Sequence, residues 1–265
     1  MYTEYNEGKL LPEFEAILNE YEAEFEAQPL MWDVIVKPMV DPKKVSCANY
    51  NKTYPIFKAI GTTDPVGALE KIVQRAVAMM DKTIAALIKA TERINAGDAI
   101  DKSLPNNTFA LSLAKRMRIK VNDPAAWTGN GPGKVGLVIR WLSNIRKIMA
   151  GGYIWYTCLS GDCSTGDWAW VYNSANAENK RLKRNFFRIH LCSRFWKPKT
   201  GVSVADHFEF QAQTIIHEAS HIYYNTSDDP GRGAGVAECV AQFIAETNSS
   251  PIDKDFIKRC GGKLI

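Results

Sequence analysis

The sequence predicts an α+β protein, and three features carry that reading. Apolar residues at three- and four-residue steps recur through the first 152 residues, short aromatic and β-branched runs follow from residue 153, and a last helical stretch contains His217-Glu218-Ala219-Ser220-His221. With 265 residues and 46% hydrophobic content, the chain can bury a core without metal or disulfide support.

The elements follow in order. "LPEFEAILNEYEAEFEA" (11–27) spaces Phe14, Ile17, Leu18 and Tyr21 at helical intervals. The stretch 64–97 opens on Asp64-Pro65 and closes at Gly97, as a helix start and stop should. A third helix over 134–152 lies between "GNGPG" and Gly151-Gly152; its lysine and glycines lack phosphate-loop spacing, so the loop reads as a turn. "YIWYTC" (153–158), "DWAWVYN" (167–173) and "FFRIHLC" (186–192) then predict strands of a small, mostly antiparallel sheet. Residues 206–225 contain no Pro or Gly and place Phe208, Ala212, Ile215, Ile216, Ala219 and Ile222 at helical steps. A further helix is expected in "GVAECVAQFIAETN" (235–248). This divides the chain into a helical N-terminal region, 1–130, and a region 131–265 that holds the sheet and the histidine helix. The first is expected to be part of the same lobe, or a covering or docking segment.

Charge and composition remove several classes of function. The net charge of +4 is small, and the cluster Lys115, Arg116, Arg118, Lys120 has no basic tract beside it, so it reads as a solvated helix face and no nucleic-acid partner is expected. No apolar run approaches the ~20 residues of a membrane span, and the acidic opening "MYTEYNEGKLLPEFEA" lacks a signal-peptide pattern. The expectation is a soluble chain with no membrane partner, mature or exported without a cleaved leader. Six cysteines, Cys47, Cys158, Cys163, Cys192, Cys239 and Cys260, allow fifteen complete pairings and show no C-x-x-C metal spacing.

The stretch "HEASHIYYNTSDDPGRG" (217–233) is the densest in chemistry. On a helix, residues i and i+4 share a face, so His217 and His221 aim two imidazoles at one point and Glu218 sits beside them, within reach of a metal-bound water. The H-E-x-x-H pattern arises by chance in roughly one chain in a hundred of this length. The helix through it, the Asp/Gly/Pro turn after it and the carboxylates downstream make a zinc site the stronger reading. Catalytic zinc takes three protein ligands and leaves the fourth position to water. Asp228, Asp229 and Glu238 all compete for the third place. Position 227 is Ser, which argues against a metzincin, whose third histidine would stand there.

The combined run "WYTCLSGDCSTGDWAWVYN", "RIHLCSRFWKPKTG", "FQAQTIIHEASHIYYNTSDDPGRG" and "AECVAQFIAETN" resembles the deuterolysin and peptidyl-Lys metalloendopeptidase family, the aspzincins, over about residues 153–248. The resemblance implies a zincin-like metallopeptidase fold, one catalytic zinc ion, and a secreted or exported endopeptidase acting on proteins or peptides. It implies Glu218 as general base and Asp229 as third ligand, with Asp228 the rival register. Arg232 stands where the family has an oxyanion-binding tyrosine, a task that Tyr223, Tyr224 or His207 could also take. Glu238 falls on the first of two acidic positions that receive a basic residue after the scissile bond in lysine-specific members; Ala241 falls on the second, and Glu238 equally suits a role in the active-site wall. The resemblance pairs Cys163 with Cys192. That leaves Cys47 with Cys158 and Cys239 with Cys260, unless Cys239 is a buried free thiol. Two alternatives stay open: a glutamate-ligand peptidase using Glu238, and a non-catalytic zinc domain that binds a partner.

Overall fold

The structure is a computed structural model that describes residues 40, 42–47, 55–158, 163, 167–171, 188–197, 200–224, 226, 228, 235–252 and 260. The chain divides into two compact units, Met1–Val36 and Lys37–Ile265. The helix expected over 11–27 belongs to the first and lies outside the described residues. Residue 130 lies within the second unit, where helices on both sides of it pack together.

After a short helix, α1 (Pro55–Ala59), the chain enters α2 (Pro65–Asn95). Asp64 starts α2 by accepting the Gly67 amide at 2.8 Å, with Pro65 in the first turn where its missing N–H costs nothing. Leu69, Ile72, Val73, Ala76, Met80, Ile84 and Leu87 form its buried stripe. The short α3 (Ile100–Ser103) and α4 (Asn107–Arg116) follow; Asn106 caps α4 through its side chain on the Phe109 amide. The glycine turn before α5 (Val135–Ala150) uses positive φ at Gly129 and Gly133, which only glycine adopts without strain. One member of the basic cluster departs from the solvated face. Arg116 is buried, donating Nη2 to Glu246 at 2.6 Å and Nη1 to the Cys260 carbonyl at 2.6 Å, while Lys115, Arg118 and Lys120 are exposed. An arginine is buried where a carboxylate and a carbonyl meet its fixed fork.

The strands are β1 (Val45–Ser46), β2 (Trp155–Thr157), β3 (Ala169–Trp170) and β4 (Arg188–Leu191), in the spatial order β1-β2-β4-β3. The expected mostly antiparallel sheet is corrected here. Among the described residues β1 pairs with β2 and β2 with β4 in parallel, and only β3 runs antiparallel, against β4. Parallel neighbours need long crossovers. Helices α1–α5 supply one between β1 and β2, and β4 inserts between β2 and β3 although those two are closer in sequence. The molecule is thus mixed α+β, mostly helical, with a small sheet.

Three more helices complete the described fold: α6 (Ser193–Trp196), α7 (Val204–Tyr224) and α8 (Ala237–Thr247). From Phe210 to Ile222 every residue of α7 is buried, because α2, α5, α8 and β4 all pack on it. A helix enclosed on all sides can carry polar residues only where each serves a partner or a ligand. Three disulfides join the elements. Cys47–Cys158 links the residues just after β1 and β2, Cys163–Cys192 ties the β2–β3 connection to the end of β4, and Cys239–Cys260 fastens α8 to the C-terminal segment. Cys239 is therefore not a free thiol. In the chain-entropy account loops of 21 to 111 residues are each worth about 3–5 kcal/mol. Such bonds are consistent with an extracellular protein. Among the described residues no helix is long and apolar enough to cross a membrane.

Candidate metal centre

The enclosed helix α7 fixes the site, and polar contacts fix the rotation of α7. Near its start, Arg75 of α2 grips Glu209 through two hydrogen bonds of 2.8 and 2.9 Å, and Ser250 donates to the same carboxylate at 2.7 Å. One turn on, Gln213 donates to the Pro251 carbonyl at 2.6 Å. His217 and His221 then fall on one face, with their Nε2 atoms 3.0 Å apart and their rings edge to face.

Asp228 lies against this pair. Asp228 places Oδ1 3.2 Å from Nε2 of His217 and 3.0 Å from Nε2 of His221. The three donor atoms therefore form a triangle with edges of 3.0 to 3.2 Å. A tetrahedral zinc with donors at its usual 2.0–2.1 Å sets them about 3.3 Å apart. The donor set fits such an ion in chemistry and in spacing. Asp229 and Arg232, expected as third ligand and oxyanion group, lie outside the described residues, as do the side chains of Tyr223 and Tyr224.

Glu218 is buried beside the histidines, with Oε1 3.9 Å from Nε2 of His217. Glu238, in the first turn of α8, is also buried, and its carboxylate comes within 4.8 Å of donor atoms of His217 and Asp228. Among the described residues two groups of side chains can thus hold a metal ion: His217, Glu218, His221 and His217, Asp228, Glu238. His207 does not join them. Ten residues upstream on the same helix is about 15 Å away, and its Nε2 is spent on the Phe195 carbonyl at 2.9 Å, which also accepts Gln211 Nε2 at 2.7 Å.

The electrostatics follow from enclosure. Burial pushes the Glu218 carboxyl above its ordinary value; the two histidines pull it down and the Asp228 and Glu238 charges push it up again, leaving it raised. For His221, burial alone would favour the neutral ring. The hydrogen bond to Asp228, the Glu218 and Asp228 charges and the Thr226 carbonyl outweigh it and bring the pKa up to about 9. Burial would raise Asp228, but hydrogen bonds from both histidines and their charge hold it well below the usual carboxylate range.

Of two further contributors to the site, Ser220 escaped sequence reasoning and Thr226 entered it only as the threonine that the Asp228 register keeps. Thr226 and Ser220 are buried polar residues whose hydroxyls touch each other and the histidines. A serine inside H-E-x-x-H was the available signal, since a buried helical hydroxyl must find a partner. Compared with known proteins, the chain matches no protein-family model and no curated sequence.

Proposed function

We propose that the protein is a zinc-dependent endopeptidase, exported to an oxidising compartment and acting on protein or peptide substrates. The observation that carries this reading is the triangle of His217 Nε2, His221 Nε2 and Asp228 Oδ1 at the edges of a tetrahedral site, with a buried glutamate beside it. Zinc bound there supplies Lewis acidity to a water molecule and to the scissile carbonyl. Glu218 does the proton work: its raised affinity suits it to accept a proton from the attacking water on one carboxylate oxygen and deliver it to the leaving amine. His217 and His221 serve as neutral donors through Nε2. Enclosure by α2, α5 and α8 limits bulk water on the protein side.

Glu238 supports a second reading in which it, and not the acidic turn, is the third ligand, because its carboxylate approaches His217 and Asp228. A non-catalytic zinc domain is less well supported, since a structural site usually closes its fourth position with another Cys or His and has no use for a base at Glu218. The test is metal analysis of the purified protein together with digestion of a denatured protein mixture and mapping of the cleaved bonds. We expect one zinc per chain and internal cleavages. Glu218→Gln should keep the zinc and lower hydrolysis about 10²- to 10⁴-fold. A zinc-loaded protein that cuts nothing overturns the enzyme reading; an undiminished Glu218→Gln variant overturns the base assignment alone.

A further inference from the structure

The hydroxyls of Ser220 and Thr226 form a chain that proton accounting orients in one direction. Ser220 Oγ lies 2.7 Å from the His217 carbonyl, which can only accept, so Ser220 donates there. With its single proton committed, Ser220 Oγ accepts from Thr226 Oγ1 at 3.0 Å. Thr226 has then also spent its proton. Its Oγ1, 3.1 Å from His221 Nδ1, and its carbonyl, 2.6 Å from the same nitrogen, are both acceptors. The proton must therefore sit on His221 Nδ1, which leaves Nε2 as the metal-binding atom.

The chain begins at the ring of one histidine and ends at the backbone of the other. It also crosses from α7 to Thr226, beyond the helix end. Thr226 lies two residues before Asp228, so whatever fixes Thr226 to α7 fixes where the Asp228 carboxylate starts. Both hydroxyl residues are buried, Ser220 fully and Thr226 to 3% exposure, so water offers no substitute partner.

We propose that Ser220 and Thr226 are positioning residues: a two-hydroxyl clasp that ties Thr226 to the last turns of α7, sets the His221 tautomer and holds Asp228 against both imidazoles. The proposal rests on the metal-site reading above. It gives Ser220 a use beyond helix packing: the hydroxyl binds Thr226 to the helix, where Ala at the same place would fill the space and hold nothing.

The test compares Thr226→Val, which keeps shape and carbonyl but loses the hydroxyl, with Ser220→Ala, the double variant and Thr226→Ser. The first readout is zinc affinity by competition with a chromogenic chelator. The second is proton exchange at His221 Nδ1 in the metal-free protein, followed by NMR at neutral pH. Each single variant should lose about 10- to 100-fold in zinc affinity. The double variant should lose little more than either single, because both break one chain, and Thr226→Ser should restore wild-type binding. Exchange of the Nδ1 proton should quicken in Thr226→Val and return to the slow rate in Thr226→Ser. Wild-type affinity and slow exchange in Thr226→Val overturn the clasp, as do fully additive losses. If the wild-type protein takes up no zinc, the metal-site reading fails by itself, while the exchange measurement still decides whether the clasp exists.

Discussion

His207 and His221 sit on the same enclosed helix, both buried, and do opposite things because opposite nitrogens are occupied. His207 gives Nε2 to the Phe195 carbonyl and lays its ring against Trp168 at 4.9 Å, so the nitrogen that reaches farthest from the helix is consumed in packing. His221 gives Nδ1 to the Thr226 carbonyl and keeps Nε2 directed at His217 and Asp228. Burial alone thus says nothing about ligation. The carbonyl that captures one nitrogen decides which of the two is left for chemistry.

The largest expected effect follows from that contrast. His221→Ala should abolish stoichiometric zinc and reduce hydrolysis to background, because one imidazole and one carboxylate are an incomplete site. His207→Ala should keep its zinc and lose stability instead, by about 2–4 kcal/mol for a deleted buried ring and one lost hydrogen bond, the Phe195 carbonyl keeping Gln211 as its partner. Metal analysis and thermal melts of the two variants check both halves. Zinc loss in the His207 variant with an intact fold would erase the distinction.

Next in size is the acidic turn, where pattern and geometry point to adjacent residues. The described carboxylate in contact with both imidazoles is Asp228, whereas the resemblance puts the ligand at Asp229. From the geometry, Asp228→Ala should lower zinc affinity at least about 100-fold and Asp229→Ala about tenfold or less. The reverse order moves the ligand by one residue and leaves the histidine pair untouched. Titration of both variants against one chelator is enough to rank them.

Metal uptake should also depend on pH in a direction the site fixes. In the metal-free protein the His221 pKa is raised to about 9, so below that pH each ion taken up displaces a proton. Apparent zinc affinity should rise about tenfold per pH unit toward pH 9 and flatten above it. Chelator competition over this range reads the slope directly, and a flat profile breaks the assignment. Metal-free stability runs the other way. The contribution of the His221 charge is fully present below the ordinary histidine pKa and is lost as pH rises through about 9. The contribution of Asp228, whose pKa is depressed, is present above the ordinary aspartate value and fades as pH falls through its lowered one.

The parts of the molecule that could be read in advance are those governed by local periodicity. The helices over 64–97, 134–152, 206–225 and 235–248 correspond to α2, α5, α7 and α8, whose apolar spacing, with the Asp64 cap of α2, acts within a few residues. Sheet topology was not legible in this way. Strands of two to four residues carry almost no register information, and β4 pairs with β2 across a long connection. Arg116 looked solvated because its partner Glu246 is 130 residues away. At the site, helical spacing announced His217, Glu218 and His221. The clasp at Ser220 and Thr226 depends on how Thr226 meets the end of α7, and no spacing rule encodes that.

The smallest predicted effect concerns Glu238, which distinguishes α8 from the histidine helix it packs against. Its carboxylate is buried near His217 and Asp228 and is one of the charges that raise the Glu218 carboxyl. Neutralising it without changing its shape removes one repulsion. In Glu238→Gln the proton affinity of Glu218 should fall, and since the base must be deprotonated to act, the acid limb of activity should shift to lower pH, by less than about one unit. Zinc content should stay at one per chain. A pH–rate profile on a single peptide measures the shift, and a substrate panel differing in the residue after the scissile bond shows whether preference for a basic side chain changes with it. An acid limb that moves upward contradicts the electrostatic role. Loss of zinc in this variant transfers the third ligand from the acidic turn to α8.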